Sequence, residues 1–259
     1  MAKSSSTNGA AAQNQSMPLF YSNPVPLDSR AHKDWQLIPD FGIEFTANVN
    51  AVPINLVEFP QVCHFYPIAF APDSTGTPVA LVGLRDNENL FVDDKGDWLE
   101  NAYIPAYIRR YPFIFSEIPG TDQLTLCVDH VDGVINDGSG KKEGQRFFDT
   151  EGAPTPLSQN ALEFCKSYHA AAQQTLEFGQ ALNDAGLLIE RSAEITANDG
   201  QKISFSGFRI IDEAKLNEMS EKDFLDWRKK GYLPFIYAHL FSGAQWQRLT
   251  RLLNAKIGK

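Results

Sequence analysis

Cysteine is scarce in this chain, and its scarcity restricts both the compartment and the chemistry. The 259 residues include only Cys63, Cys127 and Cys165, and no two of them form a CxxC pair. An odd and widely spaced set does not make the disulfide framework of a small secreted scaffold, and a zinc ribbon needs closely spaced pairs. The three thiols are therefore expected to be small buried side chains of a protein in a reducing compartment.

Long apolar runs are also missing. No stretch approaches the ~18 consecutive apolar residues that a membrane-spanning helix needs, so no transmembrane segment is expected. The first residues, MAKSSSTNGAAAQNQS, contain one charged residue, Lys3, and lack the apolar segment of a secretion signal. We therefore expect residues 1–16 to be a disordered tail and the protein to be cytoplasmic.

Positive charge is in deficit. The chain has 23 Lys and Arg against 32 Asp and Glu, which gives a formal net charge of −9. Nucleic acids and anionic membranes are bound through basic surfaces, so neither is expected as the main partner. The two short basic clusters, at residues 109–110 and 228–230, are more typical of solvated faces or helix ends.

The motifs of the common catalytic and cofactor-binding folds do not occur. A P-loop fails at residues 135–142, because Ile135 stands where glycine is needed and Lys142 where serine or threonine is needed. The patterns GxSxG and GxGxxG are absent as well. The histidines are His32, His64, His130, His169 and His239. None has HxH, HxxxH or HExxH spacing, and DHVD at residues 129–132 has the wrong order for an iron site. We expect no metal and no cofactor, and the catalytic residues, if any exist, stay unknown.

The chain is rich in two kinds of local pattern, which change near residue 153. Residues 17–153 are rich in proline, aromatic and β-branched residues and predict strands and loops. Residues 154–259 predict helices around one hairpin. The expected fold is α+β, with a β-rich N-terminal part followed by a helix-dominated C-terminal part with a small hairpin. Two units or one continuous domain both fit this pattern.

One long helix is predicted directly after the boundary. Thr155 is placed to cap it, Pro156 suits its first position and Gly186 its end. Its apolar side chains recur at steps of three and four and predict one buried stripe. The stripe is Ala161, Phe164, Tyr168, Ala171, Thr175, Phe178 and Leu182.

The remaining C-terminal pattern predicts a hairpin and two further helices. Strands at residues 187–195 and 202–211 flank the turn at residues 198–200. Ser220 is expected to begin a helix that ends at Gly231. The apolar residues 233–241 are expected to be buried, and Ser242 to cap a last helix.

Residues 80–113 are the densest stretch of the sequence. A strand is predicted at residues 79–84 and a returning strand at residues 90–92. A segment rich in tyrosine, proline and arginine follows. Pro105 and Pro112 limit any helix in this segment to about two turns.

That segment also supplies the candidate binding residues. They are Tyr103, Tyr107, Arg109, Arg110 and Tyr111. Aromatic faces beside arginine donors suit the recognition of a peptide or protein. The alternative is a ladder of core-facing tyrosines with arginines at its edge. Since an unpaired buried charge is costly, at least one of the two arginines is expected to reach solvent or a carboxylate.

Several phrases of the sequence resemble the SapC family, which takes its name from a bacterial surface-layer gene cluster. They are LVGL, NLFVDDKGDW and YIPAYIRRYPF, together with NAVPINLVEFPQVCHFYPIAF at residues 50–70 and the later GFRIIDEAKL and YAHLFS. The resemblance spans residues 17–254. A peptide-transport permease shares the family's name, but the absence of a membrane-spanning stretch separates this chain from it.

The resemblance implies a role more than a reaction. It links the protein to a surface-layer system or to TonB-dependent outer-membrane receptors, and it brings no catalytic residues with it. We therefore expect a non-enzymatic cytoplasmic accessory protein that binds a protein or peptide. The alternative is an enzyme, an oxygenase-like modifier or its helper, whose site is assembled from distant residues. A pocket where histidine and carboxylate groups converge would favour the enzyme, and an exposed aromatic groove would favour binding.

Overall fold

The computed structural model describes residues 17–117, 123–140 and 142–258. The predicted tail at residues 1–16 lies outside these ranges. Within them the fold is α+β, as the sequence predicts, with short strands first and longer helices later. Among these residues no helix is both long and apolar enough to cross a membrane.

The described residues form eleven strands in three sheets. They are β1 (Pro24–Pro26), β2 (Gln36–Leu37), β3 (Ala51–Pro53), β4 (Ile68–Phe70), β5 (Pro78–Leu81), β6 (Phe113–Glu117), β7 (Leu124–Asp129), β8 (Ile135–Asn136), β9 (Gln145–Arg146), β10 (Leu188–Thr196) and β11 (Lys202–Ile211). The strand orders are β1-β7-β6, β8-β2-β9 and β10-β11-β4-β5-β3. The strand pairs are antiparallel.

Seven α-helices accompany these strands in the described ranges. They are α1 (Phe59–Val62), α2 (Ala106–Arg110), α3 (Pro156–Asp184), α4 (Glu213–Asn217), α5 (Glu221–Lys229), α6 (Leu233–Ser242) and α7 (Trp246–Ile257). A short 3-10 helix, Leu56–Glu58, leads directly into α1.

The five-stranded sheet joins residues from both sides of position 153. The predicted hairpin forms β10 and β11, and β11 then pairs with β4 through Arg209 and Phe70. A large hydrophobic core covers this sheet and includes Phe59 and Phe178, which come from the two parts of the chain. A second core, around Phe147 and Val128, lies under the two smaller sheets.

Helix α3 follows the sequence prediction closely. It begins at Pro156, after Thr155 in an extended conformation, and Phe178 and Leu182 of the predicted stripe are fully buried. The Thr155 side chain does not cap the helix. Its hydroxyl donates instead to the carbonyl oxygen of Arg146, at 2.7 Å, with that of Phe147 at 3.1 Å, and so ties the start of α3 to the preceding segment.

Several local predictions were wrong. Residues 90–92 form no strand, and Val92 makes only an isolated bridge to Trp98. Ser242 does not cap α7, because it ends α6 and its hydroxyl donates to the carbonyl oxygen of His239. The apolar stretch at residues 233–241 is helical but only partly buried, and Phe241 is 72% exposed. Apolar composition alone did not tell which face of α6 meets the core.

Candidate functional site

Helix α2 is held in place by a buried carboxylate. Glu58 closes the 3-10 helix before α1, where its Oε2 accepts from the backbone N–H of Asn55 at 2.8 Å. Its Oε1 accepts from the backbone N–H of Ala106 at 2.6 Å and from the Tyr103 hydroxyl at 3.0 Å. A carboxylate that receives several donors satisfies the first N–H groups of a helix at a favourable end of its dipole. Glu58 therefore fixes both the start of α2 and the ring of Tyr103.

Arg109 lies at the surface in a defined position. Its Nε donates to the carbonyl oxygen of Ile104 at 3.0 Å, and its Nη2 donates to the Tyr103 hydroxyl at 3.1 Å. The guanidinium carbon is 5.6 Å from the ring centre of Tyr103 and 5.5 Å from that of Phe164. Arg109 forms no salt bridge within the described ranges. Its guanidinium therefore has a fixed position but is not paired with a carboxylate.

Arg110, the next residue, turns the other way. Its guanidinium carbon is 4.4 Å from the ring centre of Tyr168, 4.6 Å from that of Tyr107 and 5.4 Å from that of Tyr21. Its Nε donates to the Tyr21 hydroxyl at 3.2 Å. Burial raises the pKa of Tyr21 and of Tyr168, so both phenols stay neutral at physiological pH. Three neutral aromatic faces surround the cation, and cation–π attraction takes the place of a carboxylate.

Tyr111 belongs to a third environment. The residue is 8% exposed and its ring packs against that of Phe45 in a tilted arrangement, with ring centres 4.3 Å apart. Its hydroxyl donates to Asp129, at 3.1 Å, and burial is the main reason why the pKa of this phenol is raised. Asp129 is itself fully buried and also accepts from the backbone N–H of Asn23. Tyr111 thus joins the chain near residue 23 to the second core.

The five candidate residues therefore do not all lie on one surface. Tyr103 and Arg109 reach the surface, whereas Tyr107 and Tyr111 are each 8% exposed and Arg110 lies among tyrosines. The expectation that at least one arginine reaches solvent fits the placement of Arg109. Whether any of the five binds a partner stays a prediction.

A cavity of about 210 Å³ opens beside Tyr103 and Arg109. Helix α3 supplies one side, and the 3-10 helix and α2 supply the other. Its lining is Asn55, Val57, Glu58, Tyr103, Ala106, Arg109, Phe164, Ser167, Tyr168 and Ala171. Val57 at the rim is 62% exposed and leaves apolar surface next to the fixed arginine.

A second cavity of about 200 Å³ continues along α3. It shares Asn55 and Tyr168 with the first cavity, and Leu176 at its rim is 41% exposed. The Thr175 hydroxyl, in the lining of the second cavity, accepts from the backbone N–H of Leu56 at 3.0 Å and holds α3 against the 3-10 helix. We call the two cavities, with Arg109, Val57 and Leu176 at their rims, the α2–α3 groove.

Sequence reasoning missed Glu58 and the α3 contribution to this site. Asn55 and Glu58 are spaced as in a capping box, N-x-x-E, so a helix start at this point was readable. Phe164 and Tyr168 were placed on the buried stripe of α3, and both do face inward in part. They lie opposite Arg109 and Arg110, which are more than 50 residues away in the sequence. A local sequence pattern cannot reveal a contact between residues so far apart.

A histidine does line another cavity, of about 390 Å³, between the hairpin and α6. His239 is 5% exposed, and its Nε2 accepts from the backbone N–H of Ile211 at 3.1 Å. Burial lowers the pKa of His239 to about 4, so the ring is neutral at physiological pH. The lone pair on Nε2 already accepts the Ile211 N–H. In this arrangement the imidazole therefore cannot accept a proton from a substrate as a general base.

No cluster of three or more His, Cys, Asp or Glu side chains in the described ranges is placed to hold a metal ion. Cys63, Cys127 and Cys165 are free thiols, and the last two are buried. Burial raises the pKa of the Cys165 thiol to about 11, which makes it a poor nucleophile at neutral pH.

Comparison with known proteins identifies the family. Neither the search of curated proteins nor that of solved structures found a match to this chain. A protein-family model described as SapC matches residues 27–249, which is most of the sequence and includes every residue of the α2–α3 groove. The chain therefore belongs to the SapC family.

Proposed function

We propose that this protein is a non-enzymatic accessory protein that binds a partner protein through the α2–α3 groove. The observation that carries the proposal is Arg109. It is an exposed cation held by two hydrogen bonds and two aromatic rings, without a salt bridge to any described residue. An arginine beside apolar cavities is a common anchor in protein interfaces.

The Arg109 side chain is already fixed before a partner binds, and this favours binding. A free surface arginine loses side-chain entropy when a partner immobilises it, and this loss weakens the complex by about 0.5–1.5 kcal/mol. Here the hydrogen bonds to Ile104 and Tyr103 already fix the guanidinium. Its Nη1 has no acceptor among the described residues and is available to a carboxylate.

The polar groups of the groove support binding more than catalysis. Glu58 is the buried carboxylate of the site, but both of its oxygens accept from donors that hold the fold together. A general base needs a lone pair directed at a substrate proton. Glu58 is better understood as the support of Tyr103, which in turn orients Arg109.

The biological setting is part of the same proposal. Membership of the SapC family supports a link to a surface-layer system or to a TonB-dependent receptor system. Three free cysteines, two of them buried, fit a reducing compartment and so support a cytoplasmic location. The proposed partner is a component of such a system, recognised by a carboxylate that lies next to apolar side chains.

Site-specific photo-crosslinking in the native cell tests this proposal. A benzophenone amino acid replaces Val57 at the rim of the groove, and in a second strain it replaces Ala170. Ala170 is exposed on α3 but lines neither cavity, so it is a matched control. We expect one protein to be crosslinked from position 57, absent from position 170 and lost when Arg109→Ala is added.

The crosslinked protein is then purified and titrated against the wild-type and Arg109→Ala proteins. A direct complex that weakens by at least about tenfold in the variant, a loss of about 1.4 kcal/mol, is expected. Identical crosslinks from positions 57 and 170, or equal affinity for the wild-type and Arg109→Ala proteins, would show that the partner does not bind at the groove.

A further inference from the structure

Strand β10 forms one edge of the five-stranded sheet, and within the described ranges it pairs with β11 alone. It runs from Leu188 to Thr196 and contains no proline. The opposite edge of the sheet is β3, which has three residues and ends at Pro53. Proline hinders the addition of a further strand because it has no N–H to donate. The longer edge, which we call the β10 edge, lacks this protection.

The register of the hairpin shows which backbone groups of β10 point outward. At one end, Asp212 donates its N–H to the carbonyl oxygen of Leu187 at 2.8 Å. At the other end, Ala197 donates to the carbonyl oxygen of Gln201 at 2.9 Å. Bonded pairs alternate along an antiparallel ladder, so the even-numbered residues of β10 direct their N–H and C=O groups away from β11. They are Leu188, Glu190, Ser192, Glu194 and Thr196.

The irregularity of the hairpin lies on the other strand. Between the pairs at Arg191 and Ala193, two residues of β11 stand opposite Ser192. One of them is Gly207, whose φ of +81° is a left-handed geometry that glycine adopts in β-bulges. Strand β11 therefore accommodates the extra residue, and the outward groups of β10 stay in a regular row.

The β10 edge carries negative charge on one face. Glu190 and Glu194 lie on the same face, four positions or about 13 Å apart along the strand. Both are exposed, and neither forms a salt bridge with a described residue. Directly opposite residues of neighbouring strands have their Cβ atoms about 5 Å apart, so a lysine or arginine on an added strand would pair with each carboxylate. The net charge of −9 on the chain also attracts a basic segment.

The nearby cations leave these carboxylates unpaired. Arg209 stands opposite Glu190 on β11, but its guanidinium donates to backbone carbonyl oxygens of the loop after β4. Lys202 stands opposite Thr196, and Arg191 lies on the other face of β10. A cation from outside the hairpin therefore has two carboxylates to bind.

A second copy of this chain fits the β10 edge poorly. Antiparallel pairing of two copies over the whole length of β10 is centred on Ser192. It places Glu190 of each copy opposite Glu194 of the other. Like charges directly opposite each other destabilise a strand pair, so the charge pattern favours a basic partner over self-association.

The other face of β10 adds an apolar requirement. Ile189 and Ile195 are half-buried there and lie just outside the positions of the two glutamates. Residues of an added strand that stand opposite these isoleucines extend an apolar surface. Because the isoleucines flank the glutamates symmetrically, the same pattern results whether the added strand is parallel or antiparallel.

From this arrangement we infer that the β10 edge accepts a strand from a partner protein, with the pattern apolar–basic–x–x–x–basic–apolar. The added strand would bond to the outward N–H and C=O groups, which supply affinity, while its side chains supply specificity. This contact surface is separate from the α2–α3 groove, because no residue of β10 lines either cavity of the groove.

A random dodecapeptide library displayed on phage provides the first test, with the full-length protein as bait. The library is first depleted on the Ser192→Pro protein, which removes peptides that bind elsewhere. This substitution deletes one outward N–H and leaves the bonds between β10 and β11 in place. We expect enrichment of the apolar–basic–x–x–x–basic–apolar pattern, and its absence would overturn the inference.

Binding of an enriched synthetic peptide is then measured by fluorescence anisotropy. Ser192→Pro should weaken binding at least about tenfold, whereas Ser192→Ala, which keeps the N–H, should change it less than about twofold. Glu190→Gln and Glu194→Gln should each weaken it about twofold to fivefold and have no such effect on a peptide with glutamine in place of its basic residues. Arg109→Ala should leave the affinity unchanged. Dependence on Arg109, or equal affinity for the Ser192 variants, would show that the peptide does not bind at the β10 edge.

N-methylated peptides test strand pairing on the wild-type protein, so the result does not depend on the folding of any variant. A bound strand directs every second amide at its neighbour. Methylation of one alternate set of peptide amides should therefore abolish binding, and methylation of the other set should be tolerated. Equal effects of the two sets would overturn the inference.

Sedimentation equilibrium of the protein alone tests the competing occupant. We expect Ser192→Pro to leave the oligomeric state unchanged. A wild-type dimer that Ser192→Pro dissociates would show that a second copy occupies the β10 edge, and the inference of a basic partner would be wrong.

Discussion

Two adjacent arginines in this protein have opposite environments, and the difference lies in what surrounds each cation. Arg109 is exposed and rests on Tyr103 and Phe164, whereas Arg110 inserts between tyrosine rings. Both lie at the end of α2, where a positive charge also interacts favourably with the helix dipole. The first is therefore suited to a partner, and the second to the fold.

Alanine substitutions should separate these roles. Arg110→Ala should lower the free energy of unfolding by about 2 kcal/mol, because it removes a desolvated cation from three aromatic faces and leaves a void. Arg109→Ala should lower it by no more than about 0.5 kcal/mol, as is usual at exposed positions. Urea denaturation of both variants measures the difference, and equal losses would contradict this assignment.

His239 should make the protein sensitive to mild acid. Its folded-state pKa of about 4 lies below the ordinary value of 6.5, so the unfolded chain takes up a proton first as the pH falls. The stability contributed by the neutral ring is fully present above pH 6.5 and is lost between pH 6.5 and about 4, to a total of about 3 kcal/mol.

His239→Gln is the matched control for this pH effect. Glutamine retains an acceptor for the Ile211 N–H but does not titrate. We expect the unfolding free energy of the variant to fall less steeply than that of the wild type between pH 6.5 and 4. Arg191, Asp212 and Glu213 line the same cavity in both proteins, so the difference between the two curves reports on position 239. Parallel curves would show that His239 does not titrate in this range.

At Gly179, helix α3 makes a close contact with the loop before β5. A methyl group on Gly179 would lie 2.6 Å from the carbonyl oxygen of Gly76, closer than a carbon atom can approach. Gly243, after α6, has helical backbone angles and open space around it. The same substitution therefore has opposite consequences at these two positions.

Gly179→Ala should destabilise the protein by about 1–3 kcal/mol, although alanine is the better helix former. Gly243→Ala should stabilise it by about 0.5–1 kcal/mol through the entropy of the unfolded chain. Chemical denaturation of the pair checks both signs, and a gain at Gly179 would mean that α3 can move away from the loop.

Local signals account for what the sequence predicted at this level. The start of α3 at Pro156, the hairpin around residues 198–200 and the cap of α5 all depend on neighbouring residues, and the Ser220 hydroxyl does accept from the Asp223 N–H. The returning strand at residues 90–92 failed because an apolar run predicts burial and not pairing. Phe91 and Leu90 are indeed buried, but in a loop.

The candidate site shows the same limit. The tyrosine- and arginine-rich segment was found from composition, yet only Tyr103 and Arg109 of its five residues face the groove. The burial of Arg110 between aromatic rings depends on Tyr21 and Tyr168, which are remote in sequence. Residue type can predict that an arginine needs a partner, but the partner is selected by tertiary packing.

Over the full chain, the decisive feature is the sheet that joins β11 to β4. The segment at residues 17–153 contributes β3, β4 and β5, and the segment at residues 154–259 contributes β10 and β11. Phe178 of α3 packs edge-to-face on Phe59 of α1, with ring centres 6.4 Å apart, inside the core that covers this sheet. Each segment alone would expose its half of these contacts.

Expression of the two segments separately tests whether they depend on each other. We expect residues 17–153 and residues 154–259 each to lack a cooperative thermal transition, because a core divided in this way exposes most of its apolar surface. Mixing the two segments should restore the transition, since the β11–β4 pairing and the Phe59–Phe178 contact can form between chains. A cooperative transition in either segment alone, with dispersed amide resonances, would instead establish two independent domains. It would also mean that the α2–α3 groove, which takes one side from each segment, is an interface between them.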